Sequence, residues 1–396
     1  MTARTRLVGK RDVPDLPFAR GFVWWHDGRG IVADGVAGRV PVAEVHDALA
    51  AIEVDEDPGP PGSGPIALGA LPFDPAAIDT AAMVIPRRLW TRDAEGSTWL
   101  TEISGGPGTT GPPPAGPEPP GGTGERALVG ADRPKEELSP RQWAGAVGEA
   151  LERIDAGDLD KVVLSRQVTV AVDHGFSTAE VVARLVAAQP GCYVFAAGGF
   201  VGATPEMLVA RLGDSVRSRP MAGTVARNDD RALSWLAGSG KNRWEHELVV
   251  DAVVGGLARW CDEPPRASEP HPEPFADLAH IVTDVVGRLS APAPSALTLA
   301  LDLHPTPAVA GAPTEAALAL ISTLEPAPRG CYGGPVGWVD ANGDGEFAVA
   351  LRCAEVTADR ARLYAGAGIV AGSRWKDEWC ETETKLGPMR RALTGG

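Results

Sequence analysis

A tract of 20 residues in the first third of the chain limits how this protein can fold. Between Gly105 and Gly124, in GGPGTTGPPPAGPEPPGGTG, 15 of the 20 residues are glycine or proline. Such a segment lacks the side chains to build a core, so we expect it to be a mobile surface loop or a linker. The folded structure must come from the residues on its two sides. The residues alone are compatible with a boundary between two domains and with a loop inside one domain.

The composition restricts the class of protein and its partners. The chain has 396 residues, 44% of them hydrophobic, and a formal net charge of −15. This acidic balance argues against nucleic acid or an anionic membrane as the main partner. The N-terminus lacks the apolar stretch of a signal peptide, and no apolar run is long enough for a membrane span, so we expect a cytoplasmic protein. The five cysteines show no CxxC spacing, which indicates neither a disulfide framework nor a zinc site.

Predicted strands and helices come in runs rather than in strict alternation. Short strand-like segments such as RGFVWWHD precede the tract. After it, Ser139 and Pro140 predict the start of a helix that ends near Gly157. The β-branched run DKVVLSRQVTVAV predicts a strand, and STAEVVARLVAAQ predicts another helix. Further helices are predicted over about 241–260, 296–303, 314–324 and 376–392. This order favours an α+β fold over a parallel βαβ fold.

Charged residues are concentrated in the last predicted helix. Within DEWCETETK, Glu378, Glu381 and Lys385 share one helical face. Taken alone, the stretch is typical of a solvated face with one Glu–Lys pair. Glu245, early in the helix KNRWEHELVVD, offers a carboxylate from a distant part of the chain. Two glutamates from different helices, together with water and substrate oxygens, are a common way to bind Mg²⁺.

Three more ionisable residues lie in apolar segments. Lys161 lies at the start of the predicted strand in DKVVLSRQ. Two interpretations are open: its side chain reaches water at the strand end, or it is desolvated and acts as a base. Glu206 follows Pro205 between two apolar predicted strands. It is either an ordinary turn glutamate or a partly buried acid that keeps its proton near neutral pH. Arg352 in ALRCAEV needs an anionic partner, either a substrate carboxylate or an internal glutamate.

The segment DANGDGE, from Asp340 to Glu346, imitates the first half of a calcium-binding loop. Such a loop needs a bidentate glutamate at its twelfth position. That position is Leu351 here, inside a predicted strand. We therefore expect a hairpin turn rather than a calcium site.

Nine sequence blocks in a fixed order carry a resemblance to a known family. They are KVVLSR, GATPE, PMAGT, GKNRWEHELV, LHPTPAVAGAPT, RGCYGGPVGW, FAVALRCAEV, LYAGAGIV and EWCETETKL. With these blocks, residues 139–391 resemble the chorismate-utilising enzymes, which include isochorismate, salicylate, anthranilate and aminodeoxychorismate synthases, whereas residues 1–130 match only loosely. The resemblance implies one domain over residues 1–396, with the Gly/Pro-rich tract 105–124 as a loop. The implied fold is α+β and similar to anthranilate synthase component I, with two antiparallel sheets packed face to face, helices outside and the active site in a cleft.

The resemblance also implies a role for each candidate residue. Lys161 would act as the general base and Glu206 as the general acid. The implied ligands of a Mg²⁺ ion are Glu245 and Glu381, with Glu378 nearby. Tyr332 and Arg352 would hold the enolpyruvyl carboxylate of chorismate, and His304 would lie against its ring. The full set of residues implied to contact the substrate is Gly223, Thr224, His304, Ala308, Tyr332, Arg352, Gly366, Gly368 and Lys385.

Two positions narrow the resemblance to one reaction. Family members with a lysine at the position of Lys161 add water rather than ammonia. This implies an isochorismate synthase, a Mg²⁺-dependent isomerase of menaquinone or siderophore biosynthesis that adds water at C2 and loses the C4 hydroxyl. Salicylate synthases share the lysine but go on to eliminate pyruvate, and they are the alternative. They usually have threonine where this chain has Ala308, which favours a product that stops at isochorismate.

The remaining expectations concern partners and one departure from the family. We expect chorismate as the small-molecule substrate, no glutaminase subunit and a monomeric protein. A member that binds chorismate without catalysis is a further alternative, but the expected base, acid, metal ligands and carboxylate anchors are all present. Asn242 departs from the acidic residue often found at its position, which bears on the outer contacts of the metal.

Overall fold

The structure is a computed structural model that describes most of the chain. It covers residues 1–10, 21–55, 59–105, 135–136, 138–171, 175–226, 233–234, 236, 238–357 and 359–395. The Gly/Pro-rich tract lies outside the described residues from residue 106 onward, so its assignment as a loop stays a prediction.

Helices lie on the outer sides of the sheets and at the edge of the site. In chain order they are α1 (Val45–Ala50), α2 (Pro140–Asp155), α3 (Thr178–Ala188), α4 (Gly240–Ala258), α5 (Ala296–Leu303), α6 (Thr314–Leu324) and α7 (Trp375–Thr394). The predicted helix start at Ser139 is confirmed, because its side chain and that of Gln142 form a reciprocal capping box. None of the described helices is long and apolar enough to cross a membrane.

The strands of the described residues build three sheets. In chain order they are β1 (Thr2–Lys10), β2 (Phe22–His26), β3 (Arg29–Asp34), β4 (Gly38–Pro41), β5 (Glu53–Val54), β6 (Ile66–Ala70), β7 (Ala82–Ile85), β8 (Arg88–Arg92), β9 (Ser97–Ser104), β10 (Lys135–Glu136), β11 (Lys161–Ala171), β12 (Tyr193–Ala197), β13 (Phe200–Thr204), β14 (Met207–Leu212), β15 (Ser215–Ser218), β16 (Met221–Ala226), β17 (Arg266–Ala267), β18 (His271–Pro274), β19 (Leu278–Val282), β20 (Val285–Arg288), β21 (Gly311–Ala312), β22 (Pro335–Asp340), β23 (Gly345–Val349), β24 (Cys353–Val356) and β25 (Arg360–Val370).

Antiparallel pairing dominates these sheets. The large sheet has 13 strands in the order β10-β11-β25-β24-β13-β12-β2-β3-β8-β9-β1-β5, with β21 also paired to β11. The second sheet has nine strands in the order β17-β20-β15-β14-β23-β22-β6-β7-β4, and the small sheet is β16-β19-β18. Among the described strands, only β1 and β5 pair in parallel.

The large and second sheets pack face to face, as the α+β prediction requires. Phe22 and Trp24 of β2 share a buried cluster with Val336 and Trp338 of β22. The alternate residues Val23 and Trp25 point to the other side, into a cluster formed with α3 and α7. This alternation follows from the period of two along a strand, and it makes both faces of β2 apolar.

Strands from the first 105 residues form part of both the large sheet and the second sheet. In the large sheet Trp24 of β2 pairs with Phe195 of β12. In the second sheet Leu68 of β6 pairs with Trp338 of β22. The part of the chain that matched the family only loosely therefore supplies central strands of the framework that carries the site.

The expected hairpin turn is present at DANGDGE. Asp340 Oδ1 accepts hydrogen bonds from the backbone N–H groups of Asn342 and Asp344, at 2.8 and 2.9 Å. These bonds close the connection between β22 and β23. The predicted hairpin turn is confirmed.

Candidate active site

Most of the predicted site residues converge on one cavity. It lies where β11 and β25 of the large sheet meet the small sheet, α4 and α7. The predicted residues that line it are Lys161, Glu206, Gly223, Thr224, Glu245, Ala308, Tyr332, Arg352, Gly366, Gly368, Glu381 and Lys385. The space inside amounts to about 50 Å³, which is room for a few water molecules.

Lys161 and Glu245 form an ion pair at one end of the cavity. Lys161 is the first residue of β11, and its Nζ lies 2.9 Å from Glu245 Oε1 on α4. Burial alone would raise the pKa of Glu245, but Lys161, Lys385 and Lys241 together hold it below its ordinary value. Glu245 is therefore a carboxylate, and the side chain of Lys161 is buried beside it.

Gly368 makes room for this pair. It lies opposite Val163 in the pairing of β25 with β11. A Cβ atom at Gly368 would lie 2.4 Å from Glu245 Oε1 and 3.1 Å from Lys161 Cε. A side chain here would push the carboxylate or the ammonium out of place, so the predicted need for glycine has a steric reason.

Glu206 is a buried carboxyl group in the same cavity. It lies between β13 and β14, is only 5% exposed, and has its pKa raised to about 7. Burial is the largest cause of the rise, and the positive charges of Lys161, Arg352 and Lys385 act in the opposite direction. The prediction that Glu206 keeps its proton near neutral pH agrees with this environment.

Arg352 and Tyr332 offer a place for an anion. Arg352 does not sit inside a continuous strand as predicted, because β23 ends at Val349, β24 begins at Cys353, and the residue has a positive φ of 48°. Among the residues that the structure describes, its guanidinium forms no ion pair with a carboxylate. Tyr332 is buried and its ring stacks on Tyr364.

His280 is a cavity residue that the sequence analysis missed. Its Nδ1 lies 3.0 Å from the carbonyl oxygen of Gly223 and its Nε2 lies 3.3 Å from Arg352 Nη2. Burial, aided by Arg352, lowers the pKa of His280 to about 3. A neutral ring with the proton on Nδ1 donates to Gly223 and accepts from Arg352. The available signal was a single ionisable residue inside the apolar run LAHIV, the same signal that identified Arg352.

The charged face of α7 points inward. Glu381 and Lys385 line the cavity and pair at 2.5 Å, and Lys385 Nζ also donates to the carbonyl oxygen of Gly366. Glu378 is 2% exposed and pairs with Lys241 of α4 at 2.8 Å. Burial is the main reason that the pKa of Glu378 is raised, followed by the charge of Glu381. The alternative of a solvated face does not fit these three residues.

Two predicted residues do not line the cavity. One is Glu378, which stands behind the wall in its pair with Lys241. The other is His304, whose Nε2 lies 2.9 Å from the carbonyl oxygen of Phe73 and whose ring meets the Phe73 ring edge-on. His304 follows α5 and borders a separate cavity. His304 therefore lies outside the cavity lining, whereas His280 is part of it.

The carboxylates of the cavity suit a hard cation. Within the described residues, no three His, Cys, Asp or Glu side chains stand together in a geometry that holds a metal ion. Glu245 and Glu381 nevertheless present two carboxylates to one space, and Mg²⁺ is usually held by one or two carboxylates plus water and substrate oxygens. The residues present fit that mode of binding, whereas the expected third carboxylate, Glu378, does not reach the cavity.

Comparisons with known proteins identify the family of this chain. Residues 125–394 match the family model described as chorismate binding enzyme. A Mycobacterium tuberculosis protein, named provisionally as the isochorismate synthase MenF, is 38% identical over 352 residues, which is 84% of this chain and 87% of that protein.

Solved structures show the same fold. The crystal structure of a provisionally named 2,3-dihydroxybenzoate-specific isochorismate synthase, DhbC from Bacillus anthracis, superposes with a TM-score of 0.78 at 31% identity, covering 96% of this chain and 98% of that one. Anthranilate synthase component I from Streptococcus pneumoniae shares the fold, with a TM-score of 0.73 at 22% identity over 98% of this chain and 92% of that one. The chain therefore belongs to the family of chorismate binding enzymes.

Proposed function

We propose that this protein is an isochorismate synthase that converts chorismate to isochorismate in a Mg²⁺-dependent reaction. The observation that carries the proposal is a buried lysine and a carboxylic acid with a pKa of about 7 on the wall of one cavity. A general acid with a pKa near the working pH transfers its proton most effectively. Two relatives that share most of this chain's length at more than 30% identity bear names of the same activity.

The proposed reaction uses one proton acceptor and one proton donor. Lys161 takes a proton from the water whose oxygen forms the new bond to C2 of the substrate ring. Glu206 gives its proton to the C4 hydroxyl, which leaves as water while the ring double bond shifts. One water enters and one leaves, so the net reaction is an isomerisation. No glutaminase subunit is needed because water is the nucleophile.

The substrate carboxylates find positive partners in the cavity. Arg352 has no carboxylate partner among the described residues, and His280 holds its guanidinium from one side. Tyr332 lies on the same wall. Together Arg352 and Tyr332 would bind the enolpyruvyl carboxylate through a charge-assisted hydrogen bond. Gly366 leaves space there, because a Cβ atom would lie 2.9 Å from the Tyr332 hydroxyl oxygen.

Glu245 and Glu381 are the residues that would hold Mg²⁺, which would supply positive charge to the ring carboxylate of the substrate. Each of these glutamates is paired with a lysine in the present arrangement. We expect both pairs to part when the metal binds, because the same two carboxylates would then bind the metal. Opening the first pair releases Lys161 from its carboxylate partner.

The first test is a product analysis of the purified protein with chorismate, with and without Mg²⁺. We expect isochorismate, little or no pyruvate, and no turnover after the metal is removed with a chelator. Salicylate with an equal amount of pyruvate would move the protein to the salicylate synthases. No consumption of chorismate would contradict the proposal.

A second test assigns the base. We expect Lys161→Ala to reduce turnover by at least about a thousandfold, in line with the effect of removing a general base, while chorismate still binds. The control is Lys376→Ala, which removes an exposed lysine at the start of α7. Near-normal turnover of Lys161→Ala would show that another group accepts the proton.

A further inference from the structure

The strand that carries Lys161 has an incomplete neighbour along one edge. β25 pairs with β11 over its whole length on one side. On the other side β21 pairs only with Lys161 and Val162, and β10 pairs only with Val168 and Thr169. Within the described residues no strand pairs with the middle of this edge. Buried backbone groups need partners, so the gap must be filled in another way.

An ion pair fills the gap. Glu325 Oε1 accepts a hydrogen bond from the backbone N–H of Ser165 at 2.7 Å, and its Oε2 accepts from the Ser165 hydroxyl at 2.9 Å. Arg329 Nη2 donates to the carbonyl oxygen of Val163 at 2.7 Å. Arg329 and Glu325 pair with each other at 2.5 Å, and their side chains are 2% and 6% exposed. Two side chains thus offer β11 the donor and the acceptor that a neighbouring strand would offer.

Arg329 also reaches a second segment of the cavity wall. Its Nη1 donates to the carbonyl oxygen of Val309 at 2.7 Å, and its guanidinium lies over the Phe73 ring at 4.2 Å. Val163 and Val309 both line the cavity, whereas Arg329 does not. Val163 lies two residues after Lys161, so both side chains are on the same face of β11. Val309 directly follows Ala308.

We propose that Arg329 and Glu325 are positioning residues that fix the distance between Lys161 and the wall at Ala308 and Val309. The planar guanidinium spans three acceptors at once, namely Val163 O, Val309 O and the Glu325 carboxylate. A lysine ammonium is a single point and cannot span all three. The inference rests on the proposed function, since the positioned group is the proposed base.

The test compares Arg329→Lys with a matched control. Arg211→Lys is the control, because Arg211 also donates to two backbone carbonyls, those of Gly213 and Asn342, and lies near a carboxylate, that of Asp344. Arg211 is on β14, away from the cavity lining. Melting temperature, kcat and KM for chorismate are measured for both variants and for the wild type. Glu325→Gln is a milder second variant that keeps an acceptor for Ser165.

We expect Arg329→Lys to lower kcat by about tenfold or more, as small displacements of a catalytic group do, with KM changed less than about threefold. Glu325→Gln should show a smaller loss of the same kind. Arg211→Lys should lower the melting temperature but leave kcat near the wild-type value. A normal kcat in folded Arg329→Lys, or an equal loss in Arg211→Lys, would overturn the proposal. If Arg329→Lys does not fold, Glu325→Gln decides by the same criteria.

Amide hydrogen exchange gives a readout that does not depend on turnover. In Arg329→Lys we expect faster exchange confined to peptides that cover residues 161–165 and 308–312. Uniformly faster exchange would indicate loss of general stability and would contradict a local positioning role. If the wild type does not convert chorismate, the proposed function fails. The exchange pattern still tests whether Arg329 and Glu325 hold residues 161–165 and 308–312 together.

Discussion

In the proposed mechanism, the proton of Glu206 links the reaction to the pH. Its pKa is raised to about 7, mainly by burial. A general acid must be protonated, so we expect kcat/KM to fall as the pH rises through about 7. The measurement is a pH profile of kcat/KM with chorismate. A profile that stays flat from pH 6 to pH 9 would remove Glu206 from the role of acid.

The same pKa predicts how Glu206 affects stability. Below about pH 4.5 the carboxyl is protonated in both the folded and the unfolded chain. As the pH rises towards 7 the unfolded chain loses this proton first, so the free energy of unfolding decreases. The shift from 4.5 to about 7 corresponds to a destabilisation on the order of 3 kcal/mol at pH 8.

Replacing Glu206 by glutamine removes the ionisable group. We expect Glu206→Gln to be nearly inactive yet more stable than the wild type at pH 8, with no such gain at pH 4.5. Urea unfolding at both pH values measures the difference. Glu95→Gln, at an exposed position, should be neutral in both respects. An equal gain at the two pH values would show that ionisation of Glu206 is not the cause.

Gly368 predicts a large effect from one methyl group. A Cβ atom there would lie 2.4 Å from Glu245 Oε1, so Gly368→Ala must displace the carboxylate. If Glu245 holds Mg²⁺ as proposed, the Mg²⁺ concentration for half-maximal activity should rise at least about tenfold, because a displaced ligand binds the metal more weakly. The control is Gly255→Ala on α4, where a Cβ atom meets nothing within 4 Å and should stabilise the helix by roughly 0.5–1 kcal/mol. An unchanged Mg²⁺ titration would remove Glu245 from the metal site.

Single ionisable residues in apolar segments were the most informative sequence signal. Lys161, Glu206 and Arg352 were identified in this way, and all three line the cavity. The same signal at His280 was overlooked, whereas His304, which the resemblance placed against the substrate ring, bonds to Phe73 and lies outside the cavity lining. Both histidines lie in apolar surroundings, so only the three-dimensional path of the chain separates them.

At the scale of single elements, helix ends were the easiest feature to predict. The spans of α5 and α6 agree with the sequence, because capping and apolar spacing act over a few residues. The partners of strands were not predictable, because pairing joins distant residues. The edge of β11, where Glu325 and Arg329 stand in for a strand, has no local signal at all.

The capping box of α2 offers a test at this scale. Ser139 accepts from the backbone N–H of Gln142, and its own N–H donates to the Gln142 side chain. Ser139→Ala should lower the free energy of unfolding by about 1 kcal/mol, measured by urea denaturation. Ser322→Ala is the control, because the Ser322 hydroxyl donates to the carbonyl oxygen of Ala319 inside α6 and does not cap a helix. A loss that is no larger than that of the control would show that the cap does not contribute.

At the scale of the molecule, the family match and the folding unit have different extents. The match begins at residue 125, but β2 and β6 from the first 105 residues are interior strands of the two large sheets. A fragment of residues 135–396 should therefore not fold alone, because it lacks the strands that cover β12 and β22. Circular dichroism and a melting curve check this. A cooperative transition of the fragment alone would contradict the expectation.

Complementation is the companion experiment. Co-expression of residues 1–105 with residues 135–396 should restore a folded complex that elutes as one species, because the missing strands pair without needing a covalent link. The segment between the two fragments contains most of the Gly/Pro-rich tract. If the two fragments do not associate, the covalent link through the tract is itself needed for folding.

The interior position of β6 has a consequence for how the protein is made. Its partner β22 follows about 265 residues later in the chain. A ribosome adds about 5–20 residues per second, so β6 waits roughly 10–50 s before its neighbour exists. During that interval the edge of β6 that β22 will cover is exposed to other nascent chains, because β7 covers only the opposite edge. Chaperones that shield it at the ribosome should therefore influence the yield of enzyme as strongly as the stability of the finished fold.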